Sequence, residues 1–421
     1  MDRAKLKSGT RVGLIPIDWD SVRLDQVAKI NESNLPENTD PMYRFKYLDL
    51  ASARASEITL GHKEIMFKES PLRARRIVRK GDVLMSTVRP NLQGHLAIDF
   101  DAYDLICSTG FAVITPNSID DTEFIHQSLY SNAVTRQLNG MIAGSNYPAI
   151  NASDVEGLHV AYPSSRIERL QIGKVLATWD RAIEHANDLV TKKNTLKAGL
   201  MQRLFPRPRN VEPRMGAPLT PLSTFLSPEL RAIPKPEGSY KGLGIRSHGK
   251  GTFIREVQDP GEVMMDTLYL VRTGDLIVNI TFAWEGAIAI AKDSDEGALV
   301  SHRFPTFRID SSIVLPDYLR QVILTKTFVH QLGLVSPGGA GRNRVLNKSA
   351  FLRIQIPIPS LQTQAKVAAL LGACDREVSL LKDLLSALRR QKSGLAQKLL
   401  TGRMRTKYAT TATEARPEQS E

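Results

Sequence analysis

The chain repeats itself at a nearly constant offset over most of its length. Val78–Asp82 (VRKGD) recurs as Val271–Asp275 (VRTGD), and Asp180 in WDRAI recurs as Asp375 in CDREV. Across the matching stretches the offset drifts only from 193 to 196 residues. Two repeats this long are typical of a duplicated domain, whereas a solenoid would show many short ones. The two halves of the chain are therefore expected to have the same fold.

Each copy begins with a mixed segment of about 160 residues. Strand-like runs such as Asp82–Val88 and Asp275–Ile280 alternate with loops rich in Gly, Pro and Asn. One helix is predicted in each segment, over Thr122–Gly140 and over Pro316–Leu334. The pattern predicts an α/β (α+β) fold for both copies.

A long helix is predicted to follow each mixed segment. The first begins after Pro163, with Ser164 or Ser165 as its N-cap, and the second begins after Pro359, near Ser360. The chain is thus predicted to divide into a first domain over 1–163, a first spacer helix over 164–205, a second domain over 206–359, a second spacer helix over 360–403 and a disordered tail over 404–421.

Both long helices carry an apolar stripe. In the second helix it follows seven-residue spacing through Leu371, Cys374, Val378, Leu381, Leu385, Leu388 and Leu395. In the first helix Lys193 and Lys197 interrupt it, and its members are Leu176, Trp179, Ile183, Ala186, Val190 and Leu200. We expect the two helices to pack on each other as a coiled coil. The alternative is that each stripe packs on its own domain.

The length of these helices suits a spacer. From Asp180 to Leu204 the first helix extends about 37 Å at 1.5 Å per residue. One turn of DNA occupies roughly 34 to 36 Å. A rod of this length can hold two domains about one DNA turn apart.

The charge of the chain indicates a polyanionic partner. Lysine and arginine exceed aspartate and glutamate by 12, and the sequence pI is near 9.6, which favours nucleic acid.

The two cysteines lie far apart without zinc or disulfide spacing, as in a reducing cytoplasm. No apolar run approaches the roughly 20 residues of a membrane-spanning helix. We therefore expect a soluble, cytoplasmic protein with no membrane partner.

Catalytic motifs are missing or incomplete. In GIRSHGKGT, Gly249 and Lys250 match a phosphate-binding loop, but Gly251 stands where a Mg²⁺-binding Ser or Thr is required, so a flexible loop is expected. Ser301 and His302 are adjacent and would point to opposite faces of a strand, which argues against a catalytic pair. The eight histidines show no metal-ligand spacing. We predict no catalytic site and no metal site.

The end of each copy carries a recognisable pattern. Both copies contain L-x-x-x-D-x-x-I/V, a long amphipathic helix and Gly-Leu-x-Gln-x-Leu, and the second copy ends in Leu399–Arg405 (LLTGRMR). The pattern resembles the specificity subunits of type I restriction-modification systems and covers about Asp18 to Arg405. The first copy departs from it by ending in Leu204–Asn210 (LFPRPRN).

The resemblance implies a specific architecture and function. Two target recognition domains would be joined by two long antiparallel coiled-coil helices with pseudo-two-fold symmetry. Each domain would read one half of a split, asymmetric site in double-stranded DNA, while the helices set the spacing and dock two methylation subunits. Those partners would use S-adenosylmethionine, and restriction (translocase) subunits would use ATP and Mg²⁺. The chain itself would be a non-catalytic DNA-binding subunit without a cofactor.

Base-reading residues are expected where the two copies differ. VRxGD is common to both, whereas Arg89–Gly94 (RPNLQG) stands opposite Thr281–Gly286 (TFAWEG). Arg, Asn and Gln side chains can hydrogen-bond the edges of bases. The predicted readers are Arg89, Asn91, Gln93, Ser145 and Asn146 in the first domain, and Trp284, Arg303, Arg342, Asn343 and Arg344 in the second.

Two other functions are compatible with parts of the sequence. A coiled-coil interaction scaffold would make the basic charge incidental and its binding insensitive to salt, whereas phosphate contacts make affinity fall as salt rises. A self-contained nuclease would cleave DNA alone with Mg²⁺, but the sequence offers no carboxylate and lysine cluster for it.

Overall fold

The computed structural model describes residues 6–50, 64–142, 148–205, 217–338 and 344–406. Most of the tail that was predicted to be disordered lies outside these residues. The chain forms two compact units: unit 1 comprises Met1–Asp188 and Lys382–Glu421, and unit 2 comprises Leu189–Leu381. Both boundaries fall inside long helices, so each unit is built from one mixed domain and a part of each long helix.

Unit 1 contains the first mixed domain. Its strands are β1 (Leu6–Thr10), β2 (Gly13–Pro16), β3 (Trp19–Arg23), β4 (Ala28–Ile30), β5 (Arg44–Leu48), β6 (Glu64–Met66), β7 (Ala74–Ile77), β8 (Val83–Ser86), β9 (His95–Ala97), β10 (Leu105–Ser108), β11 (Phe111–Pro116) and β12 (His159–Pro163). Its short helices are α1 (Leu24–Val27), α2 (Thr122–Ser128), α3 (Asn132–Met141) and α4 (Ala152–Glu156), and the long helix α5 (Arg166–Leu204) follows.

Unit 2 contains the second mixed domain. Its strands are β13 (Leu219–Pro221), β14 (Leu226–Pro228), β15 (Ala232–Pro234), β16 (Tyr240–Ile245), β17 (Thr252–Val257), β18 (Thr267–Leu270), β19 (Leu276–Val278), β20 (Ile288–Ile290), β21 (Leu299–Val300), β22 (Thr306–Ile309) and β23 (Gln355–Pro357). Its short helices are α6 (Pro316–Ile323), α7 (Lys326–Leu334) and α8 (Lys348–Leu352), and the long helix α9 (Leu361–Leu399) follows.

The two units have the same sheet topology. One sheet has the strand order β4-β11-β8-β9 in unit 1 and β14-β22-β19-β20 in unit 2. A second sheet has the order β6-β5-β10-β7 in unit 1 and β17-β16-β21-β18 in unit 2, where β15 adds an edge strand. In both units the third strand of that sheet pairs parallel with one neighbour and antiparallel with the other. The predicted duplication and mixed fold are confirmed in these two sheets, whereas the two-stranded sheet β1-β2 of unit 1 has no counterpart among the described residues of unit 2.

The duplicated phrase VRxGD builds a turn that leads into a buried strand. Gly81 and Gly274 have φ values of +94° and +86°, a left-handed conformation that glycine adopts without strain. The buried carboxylates of Asp82 and Asp275 each accept the backbone N–H three residues earlier, at 2.7 and 2.9 Å. The phrase is therefore structural, and β8 and β19 begin directly after it.

In each mixed domain, two helices occupy the span for which the sequence predicted a single helix. The hydroxyl oxygens of Ser131 and Thr325 each accept the backbone N–H three residues further on. Each is thus the N-cap of a new helix, α3 or α7, and interrupts the helical run. The prediction of single helices over 122–140 and 316–334 is wrong for this reason.

The long helices begin where the sequence predicted. Ser165 accepts the backbone N–H three residues on at 3.4 Å and is the N-cap of α5, whereas Ser164 donates to the carbonyl of Asp18 at 2.5 Å. Ser360 accepts the equivalent N–H of α9 at 3.4 Å. Serine capping therefore starts both helices.

The apolar stripes of the long helices pack against domains at both ends. In unit 1, Ile172 and Leu176 of α5 lie in the core of the mixed domain, together with Leu399 and the following Leu400 from the end of α9. Unit 2 repeats this arrangement with Val367 and Leu371 of α9 and the half-buried Leu200 and Leu204 of α5. The alternative that each stripe packs only on its own domain is wrong, because the last turns of each helix pack on the other copy's domain.

Ion pairs between α5 and α9 fix their register within each unit. In unit 1 the Nζ of Lys392 lies 2.6 and 2.7 Å from the two carboxylate oxygens of Asp180. In unit 2 the two lysines that interrupt the stripe pair with α9: Lys197 with Asp375 at 2.5 Å, and Lys193 with Glu377 at 2.6 Å. Later residues of one helix pair with earlier residues of the other, so the predicted coiled-coil packing is antiparallel in each unit.

The duplicated aspartate also joins the long helix to the domain. Asp180 accepts the side-chain amide of Gln127 at 2.8 Å, and Asp375 accepts that of Gln321 at 3.2 Å. One carboxylate therefore bridges a domain helix, its own long helix and the lysine of the opposite helix. This triple contact explains why L-x-x-x-D occurs in both copies.

The last described residues pack on the first domain. The guanidinium of Arg405 donates to both carboxylate oxygens of Glu168, at 2.6 and 2.9 Å, and to Asp18 at 3.0 and 2.6 Å. The indole N–H of Trp19 donates to Glu168 at 3.2 Å. Glu168 is fully buried. The TGRMR segment thus fastens the end of α9 to the beginning of unit 1.

Candidate nucleic-acid interface

The segment Val88–Gly94, called loop 1 below, follows the buried strand β8. Its 3-10 turn is flanked by Arg89 and Gln93, whose φ values of +51° and +53° lie in the left-handed region. Each such residue costs about 1 kcal/mol or more, so other contacts must hold it. The backbone N–H of Arg89 donates to the carbonyl of Pro148 at 2.7 Å, and Gln93 Nε2 donates to the hydroxyl of Thr135 at 3.2 Å.

Loop 1 brings three predicted readers together. Arg89 and Asn91 are exposed, and Gln93 is half-buried at the base of the loop. Strained backbone held by its surroundings is common where a protein binds a ligand. Ser145 and Asn146, the other two predicted readers of this domain, lie outside the described residues.

The equivalent segment of unit 2, Thr281–Gly286, is called loop 2. It follows β19 and contains a 3-10 turn that ends at Gly286, with φ of +76°. The guanidinium of Arg344 lies 5.4 Å from the centre of the Trp284 ring, and Arg303 donates to the hydroxyl of Thr281 at 3.3 Å. Loop 2 thus gathers Trp284, Arg303 and Arg344.

Two predicted readers of the second domain, Arg342 and Asn343, lie outside the described residues. Trp284 is half-buried, and its indole N–H is buried without a hydrogen-bond partner among the residues that the structure describes. Its ring therefore forms part of the wall under Arg344, and the exposed guanidinium of Arg303 is the more accessible group.

The glycine-rich segment GIRSHGKGT forms the tip of the β16–β17 hairpin. The backbone N–H of His248 donates to the carbonyl of Glu285 at 2.7 Å, and that of Gly249 donates to Gly286 at 3.1 Å. Because these N–H groups are used, they cannot cradle a phosphate. The expectation of a flexible loop is wrong, since the turn packs on loop 2 and places the exposed Lys250 near it.

Loop 1 lines a cleft of about 1200 Å³ in unit 1, called cleft 1. Its other walls are α3 and the parts of α5 and α9 that belong to this unit. The cationic residues around it are Arg89, Arg136, Arg181, Arg389, Lys392 and Arg403, and the acidic ones are Asp99, Glu123, Asp180 and Glu184. With Lys392 and Asp180 paired, five arginines face three carboxylates, which favours an anionic ligand.

Most of these arginines were not predicted from the sequence. Arg136 lies on α3, Arg181 on α5 and Arg389 on α9. They are far apart in the chain, and the packing of α5 and α9 on the first mixed domain brings them to one cleft. A basic residue on a helix is usually solvated, so the sequence carried no signal that could single them out.

His95 also lines cleft 1, where it is buried. Burial, and next the nearby His126, lower the pKa of His95 to about 3. Both of its ring nitrogens lack a hydrogen-bond partner among the described residues. The hydroxyl of Tyr130 donates to the backbone carbonyl of His95 at 3.0 Å, and the two rings meet edge to face at 4.9 Å. His95 is therefore a neutral imidazole beneath loop 1.

Loop 2 lines a second cleft, of about 730 Å³, called cleft 2. Its opposite wall is α7, which contributes Lys326, Val329 and His330. The same pair of elements, a loop after the buried strand and the helix that follows, therefore forms a cleft in both units.

The described parts of the chain contain no group of three or more His, Cys, Asp or Glu side chains arranged for a metal ion. Within the same residues no helix is both long and apolar enough to cross a membrane. The hydroxyl of Ser301 accepts the backbone N–H of Arg303 at 3.3 Å, and His302 is exposed.

A comparison with protein families gives one match. The sequence model described as the type I restriction modification DNA specificity domain matches residues 16–192 and 265–390. These two ranges include loop 1, loop 2 and most of both long helices.

Relatives and solved structures agree with that match. The chain is 22% identical to the type I restriction enzyme MjaVIII specificity subunit of Methanocaldococcus jannaschii over 93% of this chain and 94% of that protein. It has the fold of the type I restriction-modification system S subunit from M. genitalium, with a TM-score of 0.57, 13% identity and 91% and 96% of the two chains covered. A chain from a structure on complex assembly and conformational transition of the type I R-M system gives a TM-score of 0.52 at 21% identity, covering 93% and 99%.

Proposed function

The chain belongs to the type I restriction modification DNA specificity family, and on that premise we propose that units 1 and 2 each read one half of a split, asymmetric DNA site. One observation carries the proposal. The two units share the strand order of their two larger sheets and the VRxGD turn, yet loop 1 and loop 2 differ in nearly every side chain. A shared scaffold with different exposed loops suits the recognition of two different base sequences.

The side chains of the loops suit DNA. Arg89, Asn91 and Gln93 on loop 1 are residue types that bond guanine or adenine edges in the major groove. Around loop 2, Arg303 and Arg344 can likewise hydrogen-bond base edges, and the Trp284 ring is a rigid support for Arg344. The five arginines that line cleft 1 would contact phosphates and fix the register of the duplex.

We assign the chemistry to partner subunits. In this proposal two methylation subunits transfer methyl groups from S-adenosylmethionine, and restriction subunits supply ATP- and Mg²⁺-dependent cleavage. The long helices would set the distance between the half-sites and dock the methylation subunits.

Equivalent exposed apolar residues support two identical docking sites. Val175 of unit 1 and Leu370 of unit 2 occupy matching helix positions, as do Leu384 of unit 1 and Leu189 of unit 2. All four are exposed, at 39 to 49%. Large exposed apolar side chains at the same positions of both copies are expected if each unit binds the same partner.

The docking sites can be tested by stoichiometry. Val175→Glu with Leu384→Glu should reduce the number of bound methylation subunits from two to one, measured by mass photometry. Leu370→Glu with Leu189→Glu should do the same from unit 2, and all four changes should abolish binding. Thr191→Glu, exposed on α5, is the matched control. Two bound partners in every variant would contradict this assignment.

DNA reading can be tested by selection. The complex of the chain with its methylation subunits should select, from a random-sequence library, a motif of two specific halves around an unread gap. Affinity should fall steeply with salt because each phosphate contact releases counterions. Selection of no split motif would overturn the proposed function.

A further inference from the structure

We infer that α3 and α7 carry further base-reading residues: Asn132 and Arg136 in unit 1, and Lys326 and His330 in unit 2. The inference rests on the proposed function, because it assigns the second wall of each cleft to the same DNA that loops 1 and 2 read.

The four residues occupy equivalent places. Asn132 and Lys326 are the first residues of α3 and α7, and Arg136 and His330 lie one turn further on. Side chains four residues apart share one face of a helix. All four are exposed, and they line cleft 1 or cleft 2 opposite the reading loop.

The rest of each helix is fixed by the fold. On the opposite face, Val134 and Leu138 are buried in unit 1, and Phe328 and Leu332 are buried in unit 2. The serine and threonine N-caps fix where each helix begins. The four cleft residues are thus presented by a rigid element, which suits recognition better than a mobile loop.

Loop 1 is also held directly on its helix. The side-chain amide of Gln93 donates to the hydroxyl of Thr135, which neighbours Arg136 in the chain. A base edge that reaches loop 1 therefore also comes within the cleft that Arg136 lines. Among the residues that the structure describes, none hydrogen-bonds or forms an ion pair with the side chain of Asn132, Arg136, Lys326 or His330.

The two copies differ at both positions while agreeing in the scaffold around them. If these positions contacted phosphate, we would expect the same residue in both copies, since every nucleotide carries the same phosphate. Asn and Arg in one copy against Lys and His in the other present different donors and acceptors to a base edge. The difference favours base reading over phosphate binding.

An exchange between the copies tests this. Asn132→Lys with Arg136→His puts the unit 2 residues into unit 1, and the complex with methylation subunits then selects from a library randomised in both half-sites. We expect altered preference at one or two base pairs of one half-site, by roughly 5- to 150-fold. The other half-site and the gap should stay unchanged.

The control is Asn139→Lys, which repeats the first of the two changes at an exposed position of α3 that does not line cleft 1. It should leave the motif unchanged. Unaltered base preferences in the exchange variant overturn the inference. This holds if the affinity for DNA is unchanged, and equally if the affinity is weaker for all sequences and depends less on salt, as expected for the loss of phosphate contacts. If the unmodified complex selects no split motif, the proposed function itself fails, so the two failures are distinguishable.

Discussion

Replacing Arg405 with Met should destabilise unit 1 more than the removal of any other single surface charge would. Glu168 is 0% exposed, and its carboxylate accepts three hydrogen bonds, two from Arg405 and one from Trp19. Without Arg405 the buried carboxylate keeps only the neutral indole donor. The variant therefore creates an uncompensated buried charge.

The magnitude follows from these contacts. Removing one partner of a buried ion pair costs about 3 to 5 kcal/mol. The second pair, with the half-exposed Asp18, adds at most about 1 kcal/mol because solvent screens it. We expect a loss near 3 to 4 kcal/mol, since Arg405 itself is 22% exposed and water can partly replace it.

The assay is urea denaturation of a Trp284→Phe background, so that fluorescence reports the remaining tryptophans, Trp19 and Trp179, both in unit 1. Adding Glu168→Gln to the Arg405→Met variant should recover much of the loss, because the buried charge is gone. Arg403→Met, at an exposed position two residues earlier, should cost less than about 0.5 kcal/mol. Equal effects of Arg403→Met and Arg405→Met would refute the reasoning.

Three further predictions concern single residues of unit 1. Gly402→Ala should lower the free energy of unfolding by about 1 to 3 kcal/mol, because φ is +66° and the added methyl would collide with the ring of Pro16; a melting temperature equal to that of the unmodified chain would contradict this. Cys107 should resist maleimide at pH 8 in the folded chain and react after denaturation, since burial raises the pKa of its thiol to about 12; labelling of the folded chain is detected by mass spectrometry. For His95, the folded pKa near 3 lies below the usual 6.5, so only the unfolded chain gains this proton as pH falls from 6.5 towards 3. The free energy of unfolding should therefore drop in that window by up to about 1.4 kcal/mol per pH unit. In His95→Leu this part of the pH dependence should be absent, as measured by denaturation at pH 5 and pH 7.

The sequence predicted the elements that depend on local pattern. The α/β domains and the two long helices follow from spacing within one copy, and the duplication follows from the nearly constant offset between the two copies. The break between α2 and α3 was missed, because a serine such as Ser131 can cap a helix or sit harmlessly inside one.

Long-range pairings lay beyond the sequence. Asp180 and Lys392 are 212 residues apart, so neither the pair nor the register of α9 on unit 1 can be read from local pattern. The same holds for cleft 1, whose arginines come from four separate stretches, and for the GIRSHGKGT hairpin, which is ordered by hydrogen bonds to loop 2. The predicted readers Arg89, Asn91 and Gln93 share one loop, and their contact with bases stays a prediction.

The proposal under test is that each unit reads its own half of one DNA site. Its most direct test is adenine methylation mapped across the host genome with the chain, without it, and with Arg89→Gly, Asn91→Ala and Gln93→Gly together in loop 1. Glycine at 89 and 93 keeps the left-handed backbone. We predict a split motif that disappears without the chain and becomes degenerate in one half only in the variant. A continuous motif, or loss of preference in both halves at once, would contradict the account.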